Sequence, residues 1–451
     1  MGLGSYENGS GIAATKFLVS QGAKVLVTDL KSEAVLVDQL KRLGSLKKKI
    51  TLVLGRHREG DFKNVDLVVR NPGVPKSSKY LKIARANKIL VVNDISLFFD
   101  LIDRKRIIGI TGTRGKSTTT SLIYKIFKSI NKNTVLGGNI TKSPLVQLTK
   151  VKRGGLIILE LSSWLLEEQV QSPYISVVTN IYPDHLNTYN GMADYARAKE
   201  NIWRFQSAQD MVVLNRDNKY TKEMGSRVLA QRYWFSVKEF KSENGCFVRN
   251  NYIWFRKDGR ERRVIKVTEI KLPGQHNLEN VLAAICVAMI YGAFISKIKK
   301  TVSDFNGIAD RLELVKTIKG VKYYNDTTST TPEAGIAALK ALGQKKNIIL
   351  IAGGSDKGLK MTDWIREVKK HCQAVILLSG SGTAKIEKLL ITNYRLPITK
   401  TDSMVNAVGV AQSLIKGGSL VLLSPAFASF GLFKNEFDRG EQFKKIVTSD
   451  L

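Results

Sequence analysis

Cysteine, histidine and proline are all scarce in this chain of 451 residues, with three Cys, four His and nine Pro. Cys246, Cys286 and Cys372 are scattered and odd in number. That excludes a disulfide framework and a clustered cysteine zinc site, and it fits a reducing compartment. So few prolines exclude Pro-rich linkers. Long apolar runs are missing as well. The longest, Val281 to Ile295, falls short of the roughly 18 residues that a membrane span needs. Met1-Gly2-Leu3-Gly4-Ser5 offers neither the basic nor the apolar region of a secretory signal, so a cytoplasmic location is expected. Acidic residues number 39 against 71 Lys and Arg, a formal charge of +32. Nucleic acid is one use for such an excess. However, the basic residues recur along the whole chain, with no dominant stripe and no aromatic-interleaved RNA motif. Attraction of anionic substrates is a milder use of the same charge. Neither stable nucleic-acid binding nor membrane insertion is expected.

What is present is a long alternation of short apolar runs with helical patterns. Ala23–Asp29, Ile50–Leu54, Val65–Val69 and Ile89–Val92 read as strands, with helical spacing over Gly11–Gln21 and Ser32–Leu43 between them. The basic stretch Asp103–Arg106 reads as a linker. A second series follows at Ile107–Ile110, Leu156–Leu159, Ile175–Val178 and Met211–Leu214. Residues 231 to 272 alternate like antiparallel strands, with Asn250-Asn251 joining Cys246–Arg249 to Tyr252–Phe255. Val281–Ile295 reads as a buried helix. A third series opens near Val321 and includes Asn347–Ala352, Ala374–Leu378 and Ser419–Leu423. Short buried strands alternating with helices predict an α/β protein built on parallel sheets. At roughly 150 residues per domain the length suggests about three domains. The boundaries are expected near 103 and 308, giving 1–103, 104–308 and 309–451.

Gly112-Thr113-Arg114-Gly115-Lys116-Ser117-Thr118 carries the clearest chemistry. It follows the strand Ile107–Ile110 and precedes the helical Thr119–Phe127. A glycine turn there lets backbone N–H groups approach phosphate oxygens. Lys116 would reach the β- and γ-phosphates, and the Ser117 hydroxyl would bind Mg²⁺. The common P-loop glycine is absent at Ile110, so the match is to a shorter loop. Two further strands end in Glu160-Leu161-Ser162-Ser163 and Asn180-Ile181-Tyr182-Pro183-Asp184-His185. In open α/β sheets, ligands sit outside the carboxyl ends of strands. Alone, Glu160 reads as a surface or capping carboxylate and His185 as a loop histidine. Beside a phosphate loop, both read as ligands of a nucleotide-bound divalent ion.

These motifs occur in order with Gly137-Gly138-Asn139-Ile140, Tyr195-Ala196-Arg197-Ala198-Lys199 and Gly274-Gln275-His276-Asn277-x-x-Asn280. Asn325-Asp326, Gly353-Gly354-x-Asp356-Lys357, Ser424-Pro425-Ala426-x-Ala428-Ser429 and Phe433-Lys434-Asn435 follow. Across almost its whole length the chain resembles the Mur ligase family of peptidoglycan-precursor enzymes. It is most similar to the member that adds D-glutamate to UDP-N-acetylmuramoyl-L-alanine. The resemblance implies ATP-driven amide formation through an acyl phosphate, with one Rossmann-like domain at each end and a P-loop ATPase-type α/β domain between them. The first domain would bind the UDP substrate through Asp29, Lys31, Asn71 and Gly73, with Asn139 and Ser162 from the centre. ATP would lie on Gly112 to Thr118, with Asn277, Asn280, Arg311 and Asp326. One Mg²⁺ would be held by Ser117 and Glu160, and a second by His185 and Lys199, which the family often carries as a carbamate. Lys116, His185 and Lys199 are the expected catalytic residues. Thr330, Lys357, Ser429 and Phe430 match positions around D-glutamate. No partner beyond the two substrates is implied, and a monomer is expected.

Departures from the family pattern include Arg114 for the usual Asn, Asp310 for a His before Arg311, and Thr328 for a Lys found in some members. The alternatives are another Mur-type ligase, a folylpolyglutamate synthase-like ligase, or a catalytically silent nucleotide-binding protein. Family members place a strand just before the Gly-x-Gly turn, whereas here Met1 abuts Gly2. A translation start about ten residues upstream is therefore expected, because a missing internal strand would leave edges unpaired and apolar groups exposed.

Overall fold

The computed structural model describes residues 1–4, 9–139, 142–151, 154–186, 188–344, 346–356, 358–391 and 396–449. They form two compact units. One contains Met1–Ile270 and His276–Asp304, and the other contains Lys271–Gln275 and Phe305–Leu451.

The first unit begins with two parallel strand pairs. β1 (Val25–Asp29) pairs with β2 (Ile50–Leu54), and β3 (Leu67–Val69) pairs with β4 (Leu90–Val92). The first two residues lie between these pairs. The Met1 amine donates to Val69 O at 2.9 Å and Gly2 N donates to Thr28 O at 2.8 Å. The helix Ser10–Ser20 buries Ile12, Ala13 and Ala14 beside them.

A nine-stranded sheet follows. Its strands are β5 (Ile107–Thr111), β6 (Val135–Gly138), β7 (Ile157–Glu160), β8 (Ile175–Val178), β9 (Met211–Asn215), β10 (Gln231–Ser236), β11 (Gly245–Arg249), β12 (Tyr252–Lys257) and β13 (Arg260–Lys266). The spatial order is β13-β12-β11-β10-β9-β8-β5-β7-β6. β5 lies between β7 and β8, and all five of its residues are buried. That suits a central parallel strand covered on both faces. From β6 to β11 neighbouring strands run parallel, and only β11–β12 and β12–β13 are antiparallel. The alternating pattern of residues 231–272 therefore has the expected direction in the last hairpins but not at β10. Alternation reports which face is buried and says nothing of strand direction. Asn250 and Asn251 both adopt positive φ, 50° and 61°, the two-residue turn that matches hairpin twist.

The apolar run beginning at Val281 belongs to a helix, Gln275–Ile290, with Val281 to Ala288 almost fully buried. The helix does not reach Ile295. Gly292 takes φ of +85°, and Ala293 N closes back on Ala288 O at 2.9 Å. A glycine at a left-handed position satisfies the last carbonyls and ends the helix. A new helix, Ile295–Asp304, then starts.

The second unit is a six-stranded sheet in the order β14-β15-β19-β16-β17-β18. The strands are β14 (Glu313–Ile318), β15 (Val321–Asn325), β16 (Ile348–Gly353), β17 (Cys372–Leu378), β18 (Ile398–Thr401) and β19 (Leu420–Leu423). Only β14 runs antiparallel to its neighbour. Every residue of β16 and β19 is buried, and helices such as Pro332–Leu342, Thr362–His371 and Met404–Ser413 pack on the sheet through apolar faces. Among the described residues, no helix is long and apolar enough to cross a membrane.

Candidate active site

Three neighbouring strands, β7, β5 and β8, deliver their carboxyl ends to one place. β5 runs into Gly112–Gly115, and the helix Lys116–Ile130 starts at once. Gly115 has φ of +81°, and a Cβ there would lie 2.2 Å from Asn280 Oδ1. The turn thus needs glycine both for its backbone and for the approach of the helix Gln275–Ile290. Arg114 N donates to Asn180 Oδ1 at 2.9 Å, and Thr113 N donates to Asn180 O at 2.8 Å. Thr113 Oγ1 meets the Tyr195 hydroxyl at 3.2 Å and accepts from Tyr182 N at 3.0 Å. Arg114 itself is exposed, Lys116 and Ser117 are half-buried, and Thr118 is buried.

Two lysines converge on one carbonyl. Lys116 Nζ donates to Gly112 O and Thr113 O, both at 3.0 Å, and Lys199 Nζ donates to Gly112 O at 2.9 Å. Lys199 comes from the helix Met192–Glu200, is 2% exposed, and lies 4.9 Å from the centre of the Tyr195 ring. Burial first, and the Lys116 charge second, hold its amine well below the usual lysine range. Asp184 and Glu160 oppose that shift.

Glu160 ends β7 and is 2% exposed. Its Oε1 accepts from Asn139 Nδ2 at 3.2 Å, whereas its Oε2 is buried with no hydrogen-bond partner among the described residues. A buried carboxylate oxygen left short of partners is costly unless a ligand completes it. His185 takes φ of +54°, and its ring lies 4.7 Å from that of Trp164. Burial pushes its imidazole pKa down, Lys199 and Lys116 act in the same sense, and Asp184 opposes. A neutral imidazole and an unpartnered carboxylate are suitable donors for a hard divalent cation. Among the described residues no three His, Cys, Asp or Glu side chains gather as a metal site. Glu160 and His185 supply two such groups, so any ion here would also need oxygens from Ser117, from a modified Lys199 or from a nucleotide.

Asn277 and Asn280 are buried on the helix Gln275–Ile290. Asn280 Nδ2 donates to Asn277 Oδ1 at 3.3 Å, and Asn280 Oδ1 accepts from Thr119 Oγ1 at 3.3 Å. They back the Gly112–Gly115 turn. Asn139 joins the same corner through its own N–H, which donates to Glu160 O at 2.9 Å. Ser162 is half-buried and caps the helix Ser163–Leu166, accepting from Leu165 N at 3.3 Å.

The expected uridine residues gather at the chain start. Asp29 accepts from Leu3 N and Lys31 N, both at 2.9 Å, and Asn71 Oδ1 accepts from Gly73 N at 3.0 Å. Lys31 and Gly73 are exposed.

In the second unit Asp326 follows β15 and is 2% exposed. It accepts from Leu312 N at 3.1 Å and Ser424 Oγ at 2.8 Å, and Ser329 Oγ also donates to it. Burial pushes its carboxyl up to about 6, against those hydrogen bonds. Ser329 O accepts from Ala426 N at 2.8 Å, and Ser355 and Ala428 form a bridge. The loops carrying Thr330, Ser429 and Gly353-Gly354 are thereby drawn together. Ser429 is buried, whereas Phe430 and Arg311 are exposed. Lys357 lies outside the described residues.

Two contributors were not singled out from the sequence. Asn180 supports the Gly112–Gly115 turn through three hydrogen bonds, and Tyr195 places its ring beside Lys199 and its hydroxyl on Thr113. The signal for Asn180 is its place at the strand end just before Ile181-Tyr182-Pro183-Asp184-His185.

Comparison with known proteins agrees with this arrangement. Sequence models of three domains match: the Mur ligase MurD-like N-terminal domain over 1–93, the Mur ligase middle domain over 110–288, and the Mur ligase glutamate ligase domain over 310–427. A UDP-N-acetylmuramoylalanine–D-glutamate ligase of Roseiflexus sp. is 39% identical over 463 aligned residues, covering 100% of this chain and 97% of that protein. The enzyme of the same name from Borreliella burgdorferi is 38% identical, again over 100% and 97%. Among solved structures, UDP-N-acetylmuramate–alanine ligase from Thermotoga maritima superposes with a TM-score of 0.61 at 19% identity, covering 98% and 97%. A MurF ligase from the same organism, in complex with ADP, gives 0.58 at 15%, covering 95% and 96%. With the domain models matched in order along the chain and full-length relatives well above chance identity, the chain belongs to the Mur ligase family.

Proposed function

We propose that this protein is an ATP-dependent, ADP-forming ligase that joins D-glutamate to UDP-N-acetylmuramoyl-L-alanine in peptidoglycan-precursor synthesis. The reading is supported by the name shared by its full-length relatives. The observation that carries it is the corner where Lys116, Lys199 and the unpartnered Glu160 oxygen surround a glycine turn at a helix start. We assign 1–103 to the UDP substrate, 104–308 to ATP and 309–451 to the amino acid. The enzyme is taken to be a cytoplasmic monomer.

On this reading the substrate carboxylate attacks the γ-phosphate of ATP, giving an acyl phosphate and ADP. The amine of D-glutamate then attacks the acyl carbon and phosphate leaves. The protein's task is to neutralise phosphate charge, align the reacting groups and exclude water. Residues 112–118 form the phosphate cradle: the N–H groups of Thr113 and Arg114 are held by Asn180, those at the helix start face phosphate oxygens, and Lys116 follows the β- and γ-phosphates. Asn277 and Asn280, with Arg311 and Asp326, serve the rest of the nucleotide. A bound Mg²⁺ would supply charge neutralisation at the phosphates. Ser117 and Glu160 would hold one ion, and His185 with Lys199 another. Lys199 is suited to carbamylation because burial beside Lys116 favours its neutral amine. That nitrogen attacks CO₂, loses a proton and becomes an anion with two ligand oxygens. Asp29, Lys31, Asn71, Gly73, Asn139 and Ser162 orient the UDP substrate. Thr330, Lys357, Ser429 and Phe430 receive D-glutamate.

The test is a phosphate-release assay with ATP, Mg²⁺ and UDP-N-acetylmuramoyl-L-alanine against a panel of amino acids. Turnover that requires D-glutamate is expected. Turnover with another amino acid would reassign the chain to a sibling ligase, and ATP consumption independent of both substrates would sink the reading.

A further inference from the structure

Arg70 is a charged side chain that the proposed chemistry does not use, and it is 2% exposed. Its Nη1 donates to Glu168 Oε1 at 2.8 Å, and its Nε donates to Val74 O at 2.8 Å. Its Nη2 lies 2.7 Å from Glu167 Oε2, a close charge pair without hydrogen-bond geometry. Arg85 adds a second cation to Glu168 at 3.0 Å. Glu168 stands 98 residues from Arg70 in the sequence. The same seam carries Asn93 Nδ2 donating to Leu165 O at 2.8 Å and Ser96 Oγ donating to Glu168 O at 3.4 Å.

Burying three charges together is poor economy for stability, because desolvation cancels much of the attraction. The better attested use of such a cluster is to fix register. Here the registered segments are informative. Through Val74 O, Arg70 closes the turn that holds Asn71 and Gly73. Glu167 and Glu168 directly follow the helix that Ser162 caps, which is two residues beyond Glu160.

We propose that Arg70 is a positioning residue that fixes the distance between the nucleotide anchor of the UDP substrate and its reacting carboxylate. The inference rests on the function proposed above. A substrate gripped at one end and reacting at the other needs both sites at a set separation, and misplacement of about 1 Å can cost on the order of 100-fold in rate. A ligand that occupies the anchor alone does not feel the separation.

Two variants test this, Arg70→Lys and the charge-balanced pair Arg70→Met with Glu167→Gln. Three quantities are measured on each: the melting transition, the Kd of UDP alone, and KM and kcat for UDP-N-acetylmuramoyl-L-alanine and for ATP. The expected result is a cooperative melt and UDP binding within about threefold of wild type. KM for the full substrate should rise about tenfold or more, kcat should fall, and KM for ATP should stay within about twofold. Parallel weakening of UDP and full substrate would reduce Arg70 to local support of the turn. Unchanged kinetics, or failure of both variants to fold, would overturn the proposal. A wild-type protein inactive on the UDP-muramyl substrate would remove the functional reading itself, and that is seen before any variant is compared.

Discussion

Lys199 and Glu160 in the first unit, and Asp326 and Arg439 in the second, are all sealed from solvent, and their surroundings differ. Arg439 is fully buried, yet its guanidinium donates to Thr327 Oγ1 at 3.0 Å, Thr327 O at 2.8 Å and Phe427 O at 3.4 Å. Burial lowers its pKa only to about 10, so it stays charged. Asp326 accepts from a backbone N–H and two hydroxyls. The corner at the Gly112–Gly115 turn is less complete. Lys199 shares the Gly112 carbonyl with Lys116 and has no carboxylate within ion-pair distance among the described residues, and Glu160 leaves one oxygen without a partner. Satisfied buried charge holds loops in place. The partners missing at Lys199 and Glu160 leave room for a ligand to complete that corner.

The sharpest test of that contrast is Lys116→Ala. Removing a phosphate clamp in a mechanism of positioning and electrostatics should cost about 3 kcal/mol or more in barrier. With ATP saturating, activity within tenfold of wild type would remove the phosphate-loop assignment. Lys199→Ala should be nearly inactive and partly rescued by acetate, a small carboxylate able to stand in for a carbamate. Full activity in Lys199→Arg would end the ligand role, since a guanidinium does not become anionic.

Glu160→Gln comes next. Activity should drop about 10- to 100-fold and recover in part at raised Mg²⁺. The melting temperature should hold or rise, because a buried, half-satisfied charge has been neutralised. A lower melting temperature with normal activity would make Glu160 part of the scaffold.

The last effect is on stability alone and concerns Asp326. Its pKa rises from the usual 3.8 to about 6 in the folded state. Between those values the folded protein holds the proton more tightly than the unfolded chain. The contribution is therefore fully present below pH 3.8 and is lost as pH rises to about 6, by about 3 kcal/mol at most. Urea midpoints of wild type and Asp326→Asn, compared across that range, should show the variant lacking this part of the slope. Identical slopes would show that the carboxyl titrates normally and is less buried than its partners imply.

Much of this was legible in the chain itself. Ile50–Leu54 and Ile175–Val178 appear as strands with the expected bounds, because short β-branched runs between helical patterns have few other uses. The strand–glycine turn–helix at 107–130 was equally plain. β6, with two glycines among its four residues, and β18, with three polar residues among its four, lack the apolar run that announces a strand, so neither is legible in the sequence. The parallel direction of β10 was hidden because alternation is blind to it.

The sequence by itself determined the order of the elements, the motifs at strand ends and the types of residue available for chemistry. These depend on local periodicity and on side-chain identity. Only the tertiary structure decided that Lys116 and Lys199 meet on one carbonyl, that Glu160 keeps an oxygen without a partner among the described residues, and that Arg70 bridges two segments far apart in the chain. Shared partners and missing partners are properties of distance in space. The energies they set, through desolvation and Coulomb attraction, depend on how deeply each charge is buried and on what lies beside it.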